Sequence, residues 1–244
     1  MLLYFIMETS SKNTLIKLGR GKGIEILNAI KNAKTSVKIV SPYLSPDYTK
    51  ELIHLYDKGV QITLITCDNL ETNNWSDFRP SDIIKKQEIP DSKAKQIKHL
   101  IDLTALVFFL ISLASLTFLL FSFYYIPIAL IILTLIIFSS KYLINEYTYN
   151  YTSIFRLKVF DSKSGINPQS TNLIHSKIFL IDEKILFLGS ANFTYSAFKT
   201  HYETIIQVLD PIAILEVSKE IENLFNSKEL KEKSWESLVG VKIN

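Results

Sequence analysis

The sequence predicts an α/β fold split by a long apolar insertion, on three observations. Stretch Leu103–Ser140, 38 residues, carries no formally charged side chain. On both sides of it, strand-like apolar runs alternate with helical spacing, the pattern of helices layered on a sheet. Between His175 and Asn192, polar residues recur at intervals that core patterning does not require.

Taken in order, the opening "MLLYFIMETSSK" has no basic leader and no small-residue cleavage site, so it reads as a first strand or an interfacial stub and not as a signal peptide. "GKGIEILNAIKNAKTS" places Ile24, Ile26, Leu27 and Ile30 on one helical face, and "VKIVSPYL" follows as a buried strand. Ser45 is an N-cap candidate with Pro46 at the first helical position. Leu52, Ile53 and Leu55 supply the apolar face of that helix, and Gly59 ends it before the strand "VQITLIT".

The uncharged stretch exceeds the roughly 20 residues that cross a bilayer core. With Pro127 near its middle, it predicts a membrane hairpin of two helices, about 103–123 and 128–144. A buried helical pair in a soluble core would show a charged face. A re-entrant hairpin is the rival, because the second helix is short. Lys85, Lys86, Lys93, Lys95 and Lys98 precede the hairpin and Lys141, Arg156 and Lys158 follow it, which places both flanks in the cytoplasm; Tyr124 and Tyr125 suit the far headgroup layer. The stretch 85–98 reads as a solvated connector.

Beyond the hairpin, "IFRLKVFD", "LIHSKIFLID", "KILFLGS" and "ETIIQVLD" predict four strands, and "PIAILEVSKEIENLFNS" a closing amphipathic helix. Neither half has strands enough for a sheet alone. Residues 1–92 and 149–244 are therefore expected to form one domain, with 93–148 inserted as the membrane hairpin and its flanks.

Composition narrows the function classes. The 244 residues are 48% hydrophobic and 21% charged with a net charge of +3, too small to announce a nucleic-acid binder. Cys67 is the single cysteine, which excludes an intrachain disulfide and Cys-based zinc sites and suits a reducing compartment. His201, Glu203 and Asp182 lack metal-ligand spacing, so no metal is expected.

Residues two apart share a strand face, so His175 and Lys177 are expected to project together, with Asp182 in the turn "DEK". The next strand delivers Gly189, Ser190 and Asn192 at its end, where glycine permits close backbone approach and Ser and Asn offer neutral hydrogen bonds. Such a set makes an anion pocket holding a nucleophile.

His175, Lys177, Asp182, Gly189, Ser190 and Asn192 match H-x-K-x4-D-x6-G-S-x-N in full, and the segment resembles the phospholipase D superfamily. "AIKNAKTSVKIVSPYLSP" and "LYDKGVQITLIT" look like the elements that precede this motif in the family, so the resemblance spans about 170 residues and omits the hairpin. It implies a phospholipase D-like mixed sheet flanked by helices. It also implies phosphodiester cleavage without cofactor or metal, through a phosphohistidine on His175. Lys177, Ser190 and Asn192 would bind the phosphate oxygens. Glu203 lies where the family places an acidic residue that orients a histidine. Asp182 belongs to the motif, though its turn position points to a structural role.

Family active sites need two motif copies, and this chain has one; His54, His99 and His201 are not followed by Lys two residues on. The resemblance therefore implies a homodimer with one shared site, as in single-motif members. With a membrane hairpin in the catalytic domain, the expected substrate is a phospholipid headgroup, hydrolysed or transferred, and the protein is integral to the membrane with its catalytic domain cytoplasmic. A membrane-anchored, metal-independent endonuclease is the alternative, distinguishable by steep salt dependence. A non-enzymatic membrane scaffold is the third class.

Overall fold

The computed structural model describes residues 9–11, 13–68, 83–117, 125–161 and 174–239. The expectations for residues 1–8 and for Tyr124 at the hairpin tip lie outside them. The chain divides into two compact units, residues 1–85 with 151–244, and residues 86–150.

The first unit is built on an eight-stranded sheet. Its strands are β1 (Thr9–Ser11), β2 (Thr14–Arg20), β3 (Ser36–Val40), β4 (Gln61–Cys67), β7 (Arg156–Phe160), β8 (Ile178–Ile181), β9 (Ile185–Gly189) and β10 (Tyr202–Val208), in the spatial order β1-β2-β10-β9-β8-β3-β4-β7. β3, β4 and β7 run parallel, whereas β8 meets β3 antiparallel and the remaining pairs are antiparallel. The two halves of the sequence thus interleave, because β3 and β4 lie between β8 and β7. A mixed α/β sheet made from both halves is what the sequence predicts.

Helices cover both faces. On one side, α1 (Ile24–Lys31) and α2 (Pro46–Asp57) bury Ile26, Leu27, Ile30, Leu52 and Leu55 against Val37, Ile39, Ile62, Leu64, Phe179 and Phe187. The short helices α5 (Tyr195–Lys199) and α7 (Trp235–Leu238) join that layer through Ala197, Phe198, Trp235 and Leu238. On the other side, α6 (Pro211–Asn226) packs Ile214 and Ile221 over Val40, Ile65, Phe160, Leu180 and Leu186. The alternation of these strand residues between two layers is the period-two rule of a pleated sheet buried on both faces.

Local chemistry sets the ends of the helices. Asp210 caps α6 by accepting the Ala213 N–H at 2.9 Å, with Pro211 at the first position, where no amide hydrogen is needed. Gly59, at φ +90°, closes α2 in a Schellman arrangement: its N–H donates to the Tyr56 carbonyl at 2.9 Å and Val60 N–H to that of Leu55 at 3.0 Å. Ser45 precedes α2 as expected but does not cap it with its side chain.

The expected continuous strand through His175 is shorter than the sequence suggests. β8 begins at Ile178, and Ile174 to Lys177 run ahead of the ladder. The cause lies across the sheet. Val40 is the last partner of β8 on β3, and beyond it comes Pro42, which has no N–H to donate.

In the second unit, α3 (Ser92–Ser115) and α4 (Tyr125–Ser140) pack side by side, followed by a 3-10 turn at 141–143. α3, and α4 continued through that turn to Leu143, are long and apolar enough to cross a membrane, and only 11% and 6% of their apolar windows are buried, which is not the burial of a core helix. α3 starts eleven residues before the expected 103, because Asp91 caps it by accepting the N–H groups of Lys93 and Ala94. The described part of α4 begins at Tyr125 and already includes the three residues before the expected 128, Pro127 among them. The stretch 85–98 is largely exposed, as a solvated connector would be, but it carries regular structure: β5 (Ile84–Pro90) pairs with β6 (Tyr147–Ser153), and α3 begins two residues after β5. The partner strand "YTYNYTS" has no apolar alternation to announce it.

Candidate active site

The site lies where β3, β4 and β7 end, the end at which open α/β sheets collect ligands, and β8 and β9 contribute to it in opposite directions. Ile174, buried in the α6 layer, anchors the segment entering β8. His175 next to it is exposed, whereas Lys177 is buried to 8% exposure. The Lys177 ammonium donates to the His175 main-chain carbonyl at 2.7 Å, which fixes the backbone bearing the imidazole. Burial pulls the Lys177 amine below its ordinary range, and the nearby Glu203 carboxylate opposes that pull. A cation held in a partly dry site acts strongly on an arriving anion.

Gly189 ends β9 at φ +153°, and a Cβ there would lie 2.0 Å from the Thr204 carbonyl oxygen. Only glycine fits. Ser190 then continues the ladder in altered form: its N–H donates to Thr204 O at 3.0 Å, and its Oγ accepts the Thr204 N–H at 3.0 Å. Its own hydroxyl donates to Glu203 Oε2. The single Ser190 donor is thereby committed to Glu203, so Ser190 as arranged steadies the carboxylate in place of an incoming phosphate oxygen. Gly189→Ala is expected to lower the melting temperature of the full chain by about 10 °C, the scale of a ~3 kcal/mol clash in a domain of this size. An unchanged melting temperature would show that β10 yields easily.

Asn192 follows on a loop lashed to the segment after β3. Phe193 N–H donates to the buried Ser41 Oγ at 3.0 Å, Ser45 N–H to Phe193 O at 3.0 Å, and Tyr195 N–H to Ser45 Oγ at 2.9 Å. Phe193 itself is fully buried against Tyr48, Phe179 and Phe198, with ring centroids 5.6, 6.2 and 5.8 Å away. The Asn192 Oδ1 held by this frame is buried and has no hydrogen-bond partner among the described residues. The orphaned oxygen is an acceptor, so its spare capacity is for a ligand that brings a hydrogen-bond donor.

Glu203, 6% exposed near the start of β10, joins the cluster from the third strand. Its Oε1 lies 3.8 Å from Nδ1 of His201. His201 was not legible as a site residue, since nothing in "THYET" except its two-residue spacing from Glu203 points to it. Ser41 and Ser45 were equally hidden as loop ties; the paired serines of "SPYLSP" are their only trace.

Asp182 is not brought to this cluster. It sits past the far end of β8, roughly 13 Å of strand beyond Ile178 at ~3.3 Å per residue. There, at φ 53°, its carboxylate accepts the main-chain N–H groups of Lys34, Thr35 and Ser36 at 3.0, 2.7 and 3.0 Å and the Thr35 hydroxyl at 2.9 Å. Burial alone would raise its pKa, but these donors outweigh it and hold the carboxyl below its usual range. Asp182 thus ties the α1–β3 turn to the β8–β9 turn. A carboxyl with a depressed folded pKa adds stability that is complete above its unfolded pKa and lost as pH falls through the folded one. Asp182→Asn keeps the left-handed backbone accessible and should cost about 2–4 kcal/mol at neutral pH. Equal thermal stability of the two proteins at pH 7 would contradict this role; their convergence in acid is the expected signature.

A cavity of about 540 Å³ also opens at the Asp182 end, away from His175. Its charges are mutually paired, Lys38 with Glu183 at 2.8 Å and with Glu222 at 3.2 Å, and Arg156 with Glu222 at 2.7 Å. We place the candidate site at the convergent, incompletely satisfied groups and not in that hollow. Among the described residues no group of three His, Cys, Asp or Glu is placed to hold a metal ion.

A family described as "Cardiolipin synthase, PLD-like domain" matches residues 26–120 and 131–228. The chain belongs to the phospholipase D superfamily. The match runs into both apolar helices, which the sequence resemblance had left outside. No curated protein matches the chain. Among solved structures, the phospholipase D-like chain is similar to NucT from Helicobacter pylori, with 15% identity over 90% of this chain and 98% of that one and a TM-score of 0.49. It is also similar to Nuc from Salmonella typhimurium, a phospholipase D family member, with 13% identity over 90% and 98% and a TM-score of 0.45. A third is the phosphatidylserine synthase of Haemophilus influenzae Rd KW20, with 14% identity over 90% of this chain and 40% of that one and a TM-score of 0.41. Superfamily members are phosphodiesterases, and that general kind of reaction is the frame for the site.

Proposed function

We propose that this phospholipase D-like protein cleaves, or transfers, the headgroup of a phospholipid, with His175 as nucleophile. The observation that carries the substrate is the pair of apolar, exposed helices within the family match, which would hold the site beside a membrane of phosphodiesters. The family's printed description, a cardiolipin synthase domain, agrees with a lipid substrate.

In the proposed first step, a His175 ring nitrogen attacks phosphorus and the headgroup oxygen leaves with a proton from a second histidine, so that the phosphatidyl group stays on His175. Lys177 and the Asn192 Nδ2 group bind the non-bridging oxygens, and charge gathering on them in the transition state strengthens the Lys177 contact most, because that ammonium is already buried. Water or an acceptor alcohol then displaces His175 from phosphorus, giving its proton back to the second histidine. Glu203, gripped by Ser190, acts through its neighbours as a positioning group. The second histidine is His175 of a second copy related by a two-fold axis, since this chain holds one complete motif.

The test is purified full-length protein on phospholipid vesicles in EDTA, with His175→Ala as control and phosphatidic acid or the exchanged lipid followed by mass spectrometry. Product from wild type alone supports the proposal. Cleavage of plasmid DNA without any lipid product would replace it with the endonuclease alternative, and neither product would leave the scaffold class.

A further inference from the structure

Within the unit of residues 86–150, the apolar helices stand on a charged and aromatic base. The first ten residues of α3, Ser92–Ile101, precede its uncharged stretch and span about 15 Å at ~1.5 Å per residue. Asp102 and Lys141 pair at 2.8 Å just where both helices become uncharged. Below that level two of the acids are occupied, while Glu88 on β5 is exposed and makes no ion pair among the described residues. Glu146 accepts from Lys98 at 2.8 Å, a contact that holds its carboxyl below the usual range, and Asp91 is spent capping α3. Lys86, Lys93 and Lys95, by contrast, are exposed and make no ion pair among the described residues. The Lys86 ammonium lies 3.7 Å over the ring of Tyr149, and Tyr142, Tyr147 and Tyr149 are exposed on the same unit.

Unpaired lysines beside exposed tyrosines, at the foot of uncharged helices, suit the headgroup layer. Tyrosine rings prefer that layer, and lysine stems lie along apolar surface while their ammoniums reach phosphate. We propose that the β5–β6 ribbon and the charged first turns of α3 form a collar that binds anionic phospholipid headgroups through Lys86, Lys93 and Lys95. The inference rests on the membrane placement proposed above, but it uses none of the residues of the candidate active site. The partner is a lipid surface carrying net negative headgroups, because the three spare lysines outnumber the spare acid Glu88, and each lysine near such a surface is worth about a fivefold gain in association. A neutral headgroup offers them no such gain.

The test counts lipids retained by the full-length chain, extracted in mild detergent with equal amounts of phosphatidylglycerol and phosphatidylcholine, by native mass spectrometry. All proteins carry His175→Ala so that no lipid is turned over. The expected result is at least about fivefold preference for phosphatidylglycerol at low salt, weakening as salt rises. Adding Lys86→Gln, Lys93→Gln and Lys95→Gln should abolish the preference while total lipid retention persists. Adding Lys177→Gln alone should leave it intact. Absence of preference at the start, its survival in the triple variant, or its loss with Lys177→Gln would each overturn the collar. A clear preference in a protein whose wild type cleaves no phospholipid would retire the substrate assignment and keep the collar.

Discussion

Mixing wild-type protein with an equal amount of His175→Ala, under conditions that exchange subunits, is expected to leave about a quarter of the activity of all-wild-type protein. If one site is shared across a two-fold axis and needs His175 from both copies, only wild-type pairs work, and in a random 1:1 mixture these are about a quarter of all pairs. Independent sites within each chain would leave about half. The pure variant should lose about four orders of magnitude or more, the scale on which removal of a nucleophile registers. Residual activity at a tenth of wild type would remove His175 as nucleophile. A half-active mixture would keep His175 but place the second acid within the same chain. His201, 3.8 Å from Glu203, would then be the first residue to substitute.

Lys177→Met should lower turnover by about two to three orders of magnitude, as removal of a preorganised charge from a transition-state oxygen does. The more discriminating measurement is its pH dependence. Burial depresses the Lys177 amine and Glu203 counters that depression, so the ammonium in wild type should lose its proton at lower pH than an ordinary lysine. The rate should fall along an alkaline limb as it does so. Glu203→Gln removes the counterweight, leaves the amine freer to shed its proton and should move that limb to lower pH. A merely structural Glu203 would alter the amount of folded enzyme without moving the limb. Lys177 also orders the His175 carbonyl at 2.7 Å, so a Lys177→Arg variant, with a fork in place of a compact ammonium, is expected to rescue little.

Much of the fold is legible in the sequence, and for identifiable reasons. Ile24, Ile26, Leu27 and Ile30 marked α1 because helix burial repeats every 3.6 residues, and Gly59 marked the end of α2 because few other residues accept φ +90°. The spacing from His175 to Asn192 is local, and two adjacent antiparallel strands joined by a tight turn convert local spacing directly into a shared site. β2, β5 and β6 escaped notice because "TLIKLGR", "IKKQEIP" and "YTYNYTS" bury little apolar surface and are made strands by their partners.

By itself the sequence supplied the candidate residues for the chemistry, the uncharged helical stretches and the single copy of the motif. Tertiary structure alone decided how those residues divide their work, because a side chain's role depends on which donors and acceptors surround it. Asp182 is drawn to three main-chain N–H groups at the far end of β8, and the Ser190 hydroxyl is claimed by Glu203. His201, one residue ahead of β10, has Glu203 Oε1 3.8 Å from its Nδ1, a distance that their two-residue spacing suggests but only the fold sets. Hydrogen-bond capacity is finite, and only the folded neighbourhood settles where each residue spends it.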